Sequence, residues 1–421
     1  MTSVAYDIVL YGATGFTGSL VAQYLASHPQ QPSIAFAGRN EGKIRKVIAN
    51  LIDIPKTRAE RIGVVTASST DAASLKRMAQ TAKVIINTVG PYGDLGGFEV
   101  AQAAAQNGCG YVDLTGESNV YERVAKELHS VAQSTKAILV PSVGFDSLPF
   151  DLTTYLAIQQ VKDTAGDATE IDTALCGYKV MGSMSGGTAA SFVAMTKYPD
   201  IVNYKLPYLL SPIQGAQRLH SYFARKLPQF GGWGGYSPFA PHNTRVVNRT
   251  WGLLQLAGAT RQYGKNFSYV EGFKTPNRIT SVLLSCFFLG LCWVAIHVKL
   301  LGSLLRRAIP QGTGSPMEKQ LKGFADVRTL ATSADGKTKA LSSFKFKGDP
   351  GYLRTATMIS ETALALALNR NALSPLAQQG GVHTSATIGG EVVRDRLVQY
   401  GGFHIVTADV SHVVDLSKAA A

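Results

Sequence analysis

The sequence predicts an α/β protein: a doubly wound parallel sheet in the N-terminal part, joined to a second unit of α+β type. Three observations carry this. Apolar runs of strand length alternate with runs of helical periodicity through the first 150 residues. The first apolar run leads straight into Gly12-Ala13-Thr14-Gly15-Phe16-Thr17-Gly18. After residue 151 the alternation stops. Repeated strand–helix units imply parallel pairing with right-handed crossovers, and ligands then gather at the carboxyl ends of the strands.

The elements follow in order. Val4–Leu10 reads as a buried strand and Ser19–Leu25 as a helix, with the glycine turn between them. Gly12 permits the tight turn, Gly15 lets backbone approach a pyrophosphate, and Gly18 lets the helix pack closely on the strand. Thr14, Phe16 and Thr17 complete this candidate cofactor turn, whose helix N-terminus offers free N–H groups to an anion. The second strand, Ser33–Ala37, ends in Gly38-Arg39-Asn40. An NAD site wants an acidic residue there, to bind the ribose 2′-OH, whereas Arg39 suits a 2′-phosphate. The expected cofactor is therefore NADP(H). Glu41–Leu51 reads as a helix, Ile62–Val65 as a strand, and Asp71–Gln80 as a helix with Asp71 at its cap. Lys83–Asn87, Tyr111–Leu114 and Ala137–Val140 read as strands, separated by helices over Phe98–Gln106 and Val120–Gln133.

Beyond residue 151, Glu170–Val180, Phe324–Thr332 and Ser342–Phe346 suggest strands, and residues 352–370 form a strong helix pattern. Residues 205–270 are rich in Gly, Pro and aromatics and show little periodicity. These features divide the chain into 1–150, a nucleotide-binding domain, and 151–421, a substrate and dimerisation domain with an antiparallel sheet and a few helices.

The net charge of +13 is concentrated: residues 197–322 carry 16 Lys/Arg against 3 Asp/Glu. The same block holds Ile279–Ile296, 18 residues without a charge, and a further apolar run at 300–305. Eighteen residues is the short limit for a helix crossing a bilayer. A single crossing would put the two halves of one fold on opposite sides. The segment 279–305 is therefore expected to lie in one leaflet with its basic flanks on anionic headgroups, at the cytoplasmic face of the endoplasmic reticulum or on a lipid droplet. A buried core helix or an oligomer interface, as in a homodimer, is the bland alternative. No basic strand interleaved with aromatics and no recognition motif supports nucleic acid as a partner. Cys109, Cys176, Cys286 and Cys292 form no C-x-x-C pair, which argues for a reducing compartment and against structural zinc. No signal peptide precedes the first strand, so secretion is not expected.

Three further motifs fall at strand ends: Asn87-Thr88-Val89-Gly90-Pro91-Tyr92, Asp113-Leu114-Thr115-Gly116-Glu117 and Gly144-Phe145-Asp146-Ser147-Leu148-Pro149. Asn87, Val89, Gly90 and Pro91 are candidate cofactor contacts, and Asp146 is a candidate cap for the next helix. Taken singly, each motif is ordinary turn chemistry. Taken together, with the glycine turn, Ala37-Gly38-Arg39, Ser185-Gly186-Gly187-Thr188, Asp349-Pro350-Gly351-Tyr352 and Gly380-Gly381-Val382, they resemble the saccharopine dehydrogenase-like oxidoreductases. The nearer resemblance is to the branch of the trans-acting enoyl reductases, from about residue 5 to about residue 405. That resemblance implies an NADP-binding Rossmann domain and a second domain closing over the cofactor. It also implies reduction of carbon–carbon double bonds in lipid or polyketide chains, with some relatives at membranes or lipid droplets.

The expected chemistry is hydride transfer from NADPH to the β-carbon of an α,β-unsaturated acyl chain. The α-carbon then needs a proton, and the carbonyl needs polarising as enolate charge develops. Tyr92 is the first candidate for the proton donor or carbonyl partner, followed by Asp146 and Ser147. No metal-ligand spacing is present. Two alternatives stand beside this reading: an amino-acid dehydrogenase of the saccharopine type, and a non-catalytic NADPH-binding protein at a lipid surface.

Overall fold

The computed structural model describes residues 4–182, 206–216, 223–297 and 314–419. The Ser185–Thr188 motif lies outside the described residues. Two seven-stranded sheets organise the chain. The first contains β1 (Tyr6–Tyr11), β2 (Ile34–Gly38), β3 (Gly63–Thr66), β4 (Ala82–Asn87), β5 (Gly110–Asp113) and β6 (Ile138–Val140). Its order is β3-β2-β1-β4-β5-β6, all parallel. This is the doubly wound order, and its switch point falls between β1 and β4. β1 is buried on both faces, as a parallel strand covered by helices must be, which is why it reads as a continuous apolar run.

The second sheet follows the order β14-β12-β11-β7-β10-β9-β8. Its strands are β7 (Ile171–Met181), β8 (Arg225–Leu227), β9 (Gly232–Gly235), β10 (Ser268–Thr275), β11 (Phe324–Ser333), β12 (Lys339–Lys347) and β14 (His404–Asp409). All of its pairs are antiparallel except β7 with β10, which run parallel. The expected antiparallel sheet is therefore mixed.

The chain also returns to the first sheet after forming the second. β13 (Gly381–Val382) adds a seventh strand beside β6, and the helix Thr355–Leu368 packs against β1, β4 and β5. The helix Leu148–Ala165, by contrast, packs on β11 and β12. The boundary at residue 150 thus separates β1–β6 from the second sheet, while β13 and the helices that cover the sheets cross over it. One hydrophobic core runs through both units, from Leu10 and Phe36 to Phe150, Tyr178 and Phe344.

The segment 205–270, which shows little periodicity, holds β8, β9, the start of β10 and the helix Ala240–Leu256. That helix buries Asn243, Arg245, Asn248, Arg249 and Thr250 almost completely. Polar groups that bond within the core replace the apolar stripe a sequence reading looks for.

The helix Arg278–His297 is inverted in the same sense. Ser281 and Ser285 face inward, where Ser285 Oγ accepts from Tyr236 N at 2.8 Å and Ser281 bonds Thr275. Ile279, Leu283 and Phe287 are 73%, 65% and 62% exposed, and Trp293 is 60% exposed. Among the described residues, no helix is long and apolar enough to cross a membrane.

Candidate active site

The glycine turn is built as its spacing requires. Gly12 closes β1 with φ +96°, and its N–H donates to Ala37 O at 3.0 Å. A Cβ on Gly12 would lie 2.6 Å from Val89 Cγ2, so the loops after β1 and β4 touch at the switch point. A Cβ on Gly18 would lie 2.1 Å from Gly12 O, which fixes how closely the helix Phe16–Ser27 approaches the strand. Gly15 differs: its nearest atom would be Gly12 O at 3.4 Å, so nothing in the protein itself excludes a side chain. No side chain caps this helix, and the N–H groups of Phe16, Thr17 and Gly18 have no acceptor among the described residues. Three unused donors at the positive end of a helix dipole, in front of a glycine a Cβ would fill, fit a pyrophosphate. Thr14 is exposed on the turn and Thr17 half-buried. Phe16 meets Tyr352 edge to face at 5.4 Å, so the predicted Asp349–Tyr352 motif lies against the cofactor turn from the second half of the chain.

Arg39 stands exposed at the end of β2. Its neighbour Arg45 takes Glu41 at 2.6 Å, and among the described residues the Arg39 guanidinium has no carboxylate partner. A free guanidinium at this place fits a 2′-phosphate.

The remaining strand-end motifs are mostly anchors. Asn87 is buried; its amide oxygen accepts from Val89 N at 3.0 Å and its amide nitrogen donates to Tyr111 OH at 3.2 Å. Glu117 accepts from Tyr92 N at 2.8 Å and Gly93 N at 3.0 Å, holding the loop Gly90-Pro91-Tyr92. Asp113 accepts from Thr115 N and Ser142 N, both at 2.9 Å, and from Tyr111 OH. Burial pushes the Asp113 carboxyl up to about 6, and these donors oppose the rise. Ser142 sits at φ +63°, a left-handed conformation costly for a residue with a Cβ. It is held there by Asp113, by a bond from its hydroxyl to Thr115 O, and by His242 Nε2 at 3.1 Å.

Tyr92 is buried and fully committed. Its hydroxyl donates to Asn87 O at 3.0 Å and accepts from Leu114 N at 3.1 Å, tying the ends of β4 and β5 together. Burial and the nearby Asp113 carboxylate raise it well above the ordinary phenol range.

Asp146 and Ser147 lie on the loop after β6. Asp146 does not cap the next helix: Ser147 takes the cap position and no side chain makes a capping bond. Instead the Asp146 carboxylate reaches solvent and has no hydrogen-bond partner among the described residues. Protein nonetheless crowds around it, with Phe145 stacked edge to face on Phe150, Phe239 and Phe346 beside it. That crowding pushes its carboxyl up to about 6.

The network that reaches Ser147 comes from the second unit, and the sequence did not single out its residues. Ser147 Oγ donates to Asn243 Oδ1 at 3.3 Å, and Asn243 Nδ2 donates to Glu271 Oε2 at 3.0 Å. Tyr269 OH also donates to that oxygen, at 2.9 Å. Ser237 bonds the other carboxylate oxygen and Tyr178 OH bonds Ser237 at 2.7 Å. Burial, with the Asp146 carboxylate nearby, pushes Glu271 up to about 7. His242 bridges Ser118 at 2.8 Å and Ser142, and burial beside Arg245 pushes it down to about 3, so it is neutral. Only its place as Pro241-His242-Asn243 at a helix start could have drawn notice. No metal-binding cluster of His, Cys, Asp and Glu occurs among the described residues.

The doubly wound sheet, the uncapped glycine-turn helix and the free Arg39 define an NADP-binding Rossmann oxidoreductase. Residues 8–140 match the saccharopine dehydrogenase NADP-binding domain. A trans-acting enoyl reductase from Mycobacterium ulcerans (strain Agy99) is 32% identical over 94% of this chain and 96% of its own. A protein from Mycobacterium tuberculosis (strain ATCC 25618 / H37Rv), provisionally named a trans-acting enoyl reductase, is 34% identical over 94% of this chain and 96% of its own. Apo saccharopine dehydrogenase (L-Glu forming) from Saccharomyces cerevisiae shares the fold at TM-score 0.54 and 12% identity, covering 96% of this chain and 100% of that one. The chain belongs to the saccharopine dehydrogenase-like oxidoreductases, in the branch of the trans-acting enoyl reductases, and its cofactor is NADP(H).

Proposed function

We propose that this protein reduces the α,β double bond of an acyl or polyketide chain, with Asp146 as the proton donor. The observation that carries the reading is the Asp146 carboxyl: exposed, without a hydrogen-bond partner among the described residues, and raised to about 6 at the carboxyl edge of the cofactor sheet. NADPH, when bound, supplies the hydride for the β-carbon. The chain's own residues hold the pyrophosphate at Gly12–Gly18 and the 2′-phosphate at Arg39. Burial raises the carboxyl to about 6 and so keeps it protonated in a useful range. Asp146 then gives its proton to the α-carbon. The N-cap Ser147, bonded to Asn243, holds the loop that carries Asp146. Tyr92 is the weaker candidate, because both sides of its hydroxyl are taken by backbone.

The test is NADPH oxidation with enoyl thioesters of increasing chain length. Asp146→Asn is expected to lower kcat by about 100-fold while NADPH affinity holds. An unchanged kcat removes Asp146 from the reaction. Turnover of an amino-acid substrate instead, or NADPH binding without any hydride transfer, would favour one of the two alternatives.

A second part of the proposal concerns location. The outward apolar stripe of Ile279, Leu283, Phe287 and Trp293, in the most basic part of the chain, supports docking on the cytoplasmic face of a membrane or on a lipid droplet. Co-sedimentation with anionic vesicles, lost in Leu283→Asp/Phe287→Asp, is the expected result. A stable dimer in solution that covers this stripe would count against it.

A further inference from the structure

The mixed sheet carries a row of charge on the face turned away from the core. Tyr178 on β7 points inward, where Phe150 meets it edge to face at 5.3 Å, so Lys179 points outward. The register sets Lys179 opposite Asp326 on β11, and Asp326 opposite Lys345 on β12. On the other side Phe273 pairs with Tyr178, which puts Lys274 of β10 beside Lys179. Lys274, Lys179, Asp326 and Lys345 thus lie in one line across four neighbouring strands. Arg328, two residues along β11, takes both oxygens of Asp326, at 2.9 and 2.8 Å. The row and Arg328 together hold four cations and one carboxylate.

Such a row does not serve folding. Like charges directly opposite each other on neighbouring strands destabilise a sheet, and Lys274 and Lys179 stand in that relation. Lys345 is pushed below the ordinary lysine range by burial and then by Arg328, with Lys179 acting in the same sense.

Two residues further along the strands the character changes. Met181 lies opposite Phe324, and Phe324 opposite Lys347. Met181 is 49% exposed and Phe324 38%. The helix Met317–Leu321, just before β11, adds Leu321 at 62%. This is one end of the sheet: β7 stops at Met181, β12 stops at Lys347 and β11 starts at Phe324. Same-face positions are about 7 Å apart along a strand, so the apolar tips stand about that far beyond the lysines.

We propose that this end of the mixed sheet docks on an anionic bilayer: Phe324 and Met181 enter the boundary between headgroups and acyl chains, and Lys179, Lys274 and Lys345 behind them take the anionic headgroups. Interfacial side chains enter about 5–10 Å below the headgroup charge, which is the offset between the two rows. Separate tips on strand and helix ends favour lipid over an acidic protein, since a fluid bilayer accepts single side chains whereas a protein interface packs around a central cluster. The bilayer as partner rests on the location reading above. The place of contact does not, because neither row includes the stripe of Ile279, Leu283, Phe287 and Trp293.

The test is co-sedimentation of the intact chain with phosphatidylcholine vesicles, with and without phosphatidylserine. K179Q/K274Q is expected to bind the anionic vesicles about 30-fold more weakly. F324S is expected to bind them about tenfold more weakly. K179Q/K274Q should melt no lower than wild type, which separates lost docking from lost folding. In F324W, the emission gained over wild type should shift to the blue on adding anionic vesicles and be quenched by brominated acyl chains. Unchanged binding in K179Q/K274Q, or F324W emission that ignores the vesicles, overturns the inference. Binding lost in L283D/F287D but kept in K179Q/K274Q and F324S also overturns it and leaves the helical stripe as the anchor. The reverse pattern sinks the stripe and leaves the sheet end standing. Capture of wild type by polyglutamate, with binding to neither kind of vesicle, would make the row a protein-docking surface and overturn the lipid assignment.

Discussion

The two sheets bring opposite chemistry to the site. The parallel sheet offers backbone: the uncapped N–H groups of Phe16, Thr17 and Gly18, a glycine turn, and loops tied down by Asp113 and Glu117. Asp113 and Glu117 are spent on holding those loops, while Asp146, after β6, is not. The mixed sheet offers side chains: Asn243 from a packed helix and Glu271 from β10, linked to the Asp146 loop. A binding surface made of backbone recognises a shape common to all dinucleotides, whereas one made of buried side chains can be tuned to a reaction. The difference teaches that the cofactor turn is built from the parallel sheet alone, whereas the loop of Asp146 is held by side chains from both halves, and each can be broken without the other.

The largest effect is expected at Gly18. Gly18→Ala puts a Cβ 2.1 Å from Gly12 O, a backbone atom that cannot swing away. It should cost several kcal/mol, on the order of 3, and abolish NADPH binding, read by thermal melting and fluorescence titration. Gly15→Ala sharpens the comparison. With 3.4 Å to its nearest atom, it should melt like wild type and still bind NADPH poorly. Loss of stability in both variants would mean that the turn has only a packing role.

Next comes Glu117→Ala, which leaves the buried N–H groups of Tyr92 and Gly93 unpaired. About 3 kcal/mol of stability should be lost in denaturant unfolding. Arg39→Asp removes one charge-assisted contact of about 1.5–3 kcal/mol, so the preference for NADPH over NADH should fall by roughly 10- to 100-fold. Equal loss for both nucleotides would place Arg39 outside the 2′-phosphate site.

The smallest effect belongs to pH. Glu271 is held at about 7 against an ordinary 4.5, so the folded state binds its proton more tightly than the unfolded chain does. The stability this gives is full below about pH 4.5 and is lost as pH rises to about 7. Asp113 and Asp151, each at about 6 against 3.8, act in the same direction. The chain should therefore weaken from mildly acidic to neutral pH. The gap between E271Q and wild type should move in favour of E271Q by about 2 kcal/mol between about pH 5 and about pH 8. A gap independent of pH would mean Glu271 is ionised throughout.

Much of the first sheet was legible because its signals are local. A parallel strand buried on both faces is an apolar run, Asp71 does cap its helix through Ala73 N and Ser74 N, and Gly12 must be glycine at φ +96°. The helix Ala240–Leu256 was not legible, since its inward face is polar and makes sense only against partners far along the chain, such as Asp151, which accepts from Thr250. For the same reason Tyr92 reads from sequence as a free hydroxyl at a strand end, until Asn87 O and Leu114 N close around it.

The sequence by itself determined the doubly wound sheet, the glycine turn and the choice of NADP(H), because turn geometry, strand periodicity and a lone Arg after β2 act within about thirty residues of one another. Only the tertiary structure decided that Asp146 stays free while Tyr92 does not. It alone linked Glu271 to the loop of Asp146 through Asn243 and Ser147, and it alone turned the apolar side of Arg278–His297 outward. Those outcomes depend on burial and on hydrogen-bond partners a hundred residues apart, and no local pattern encodes them.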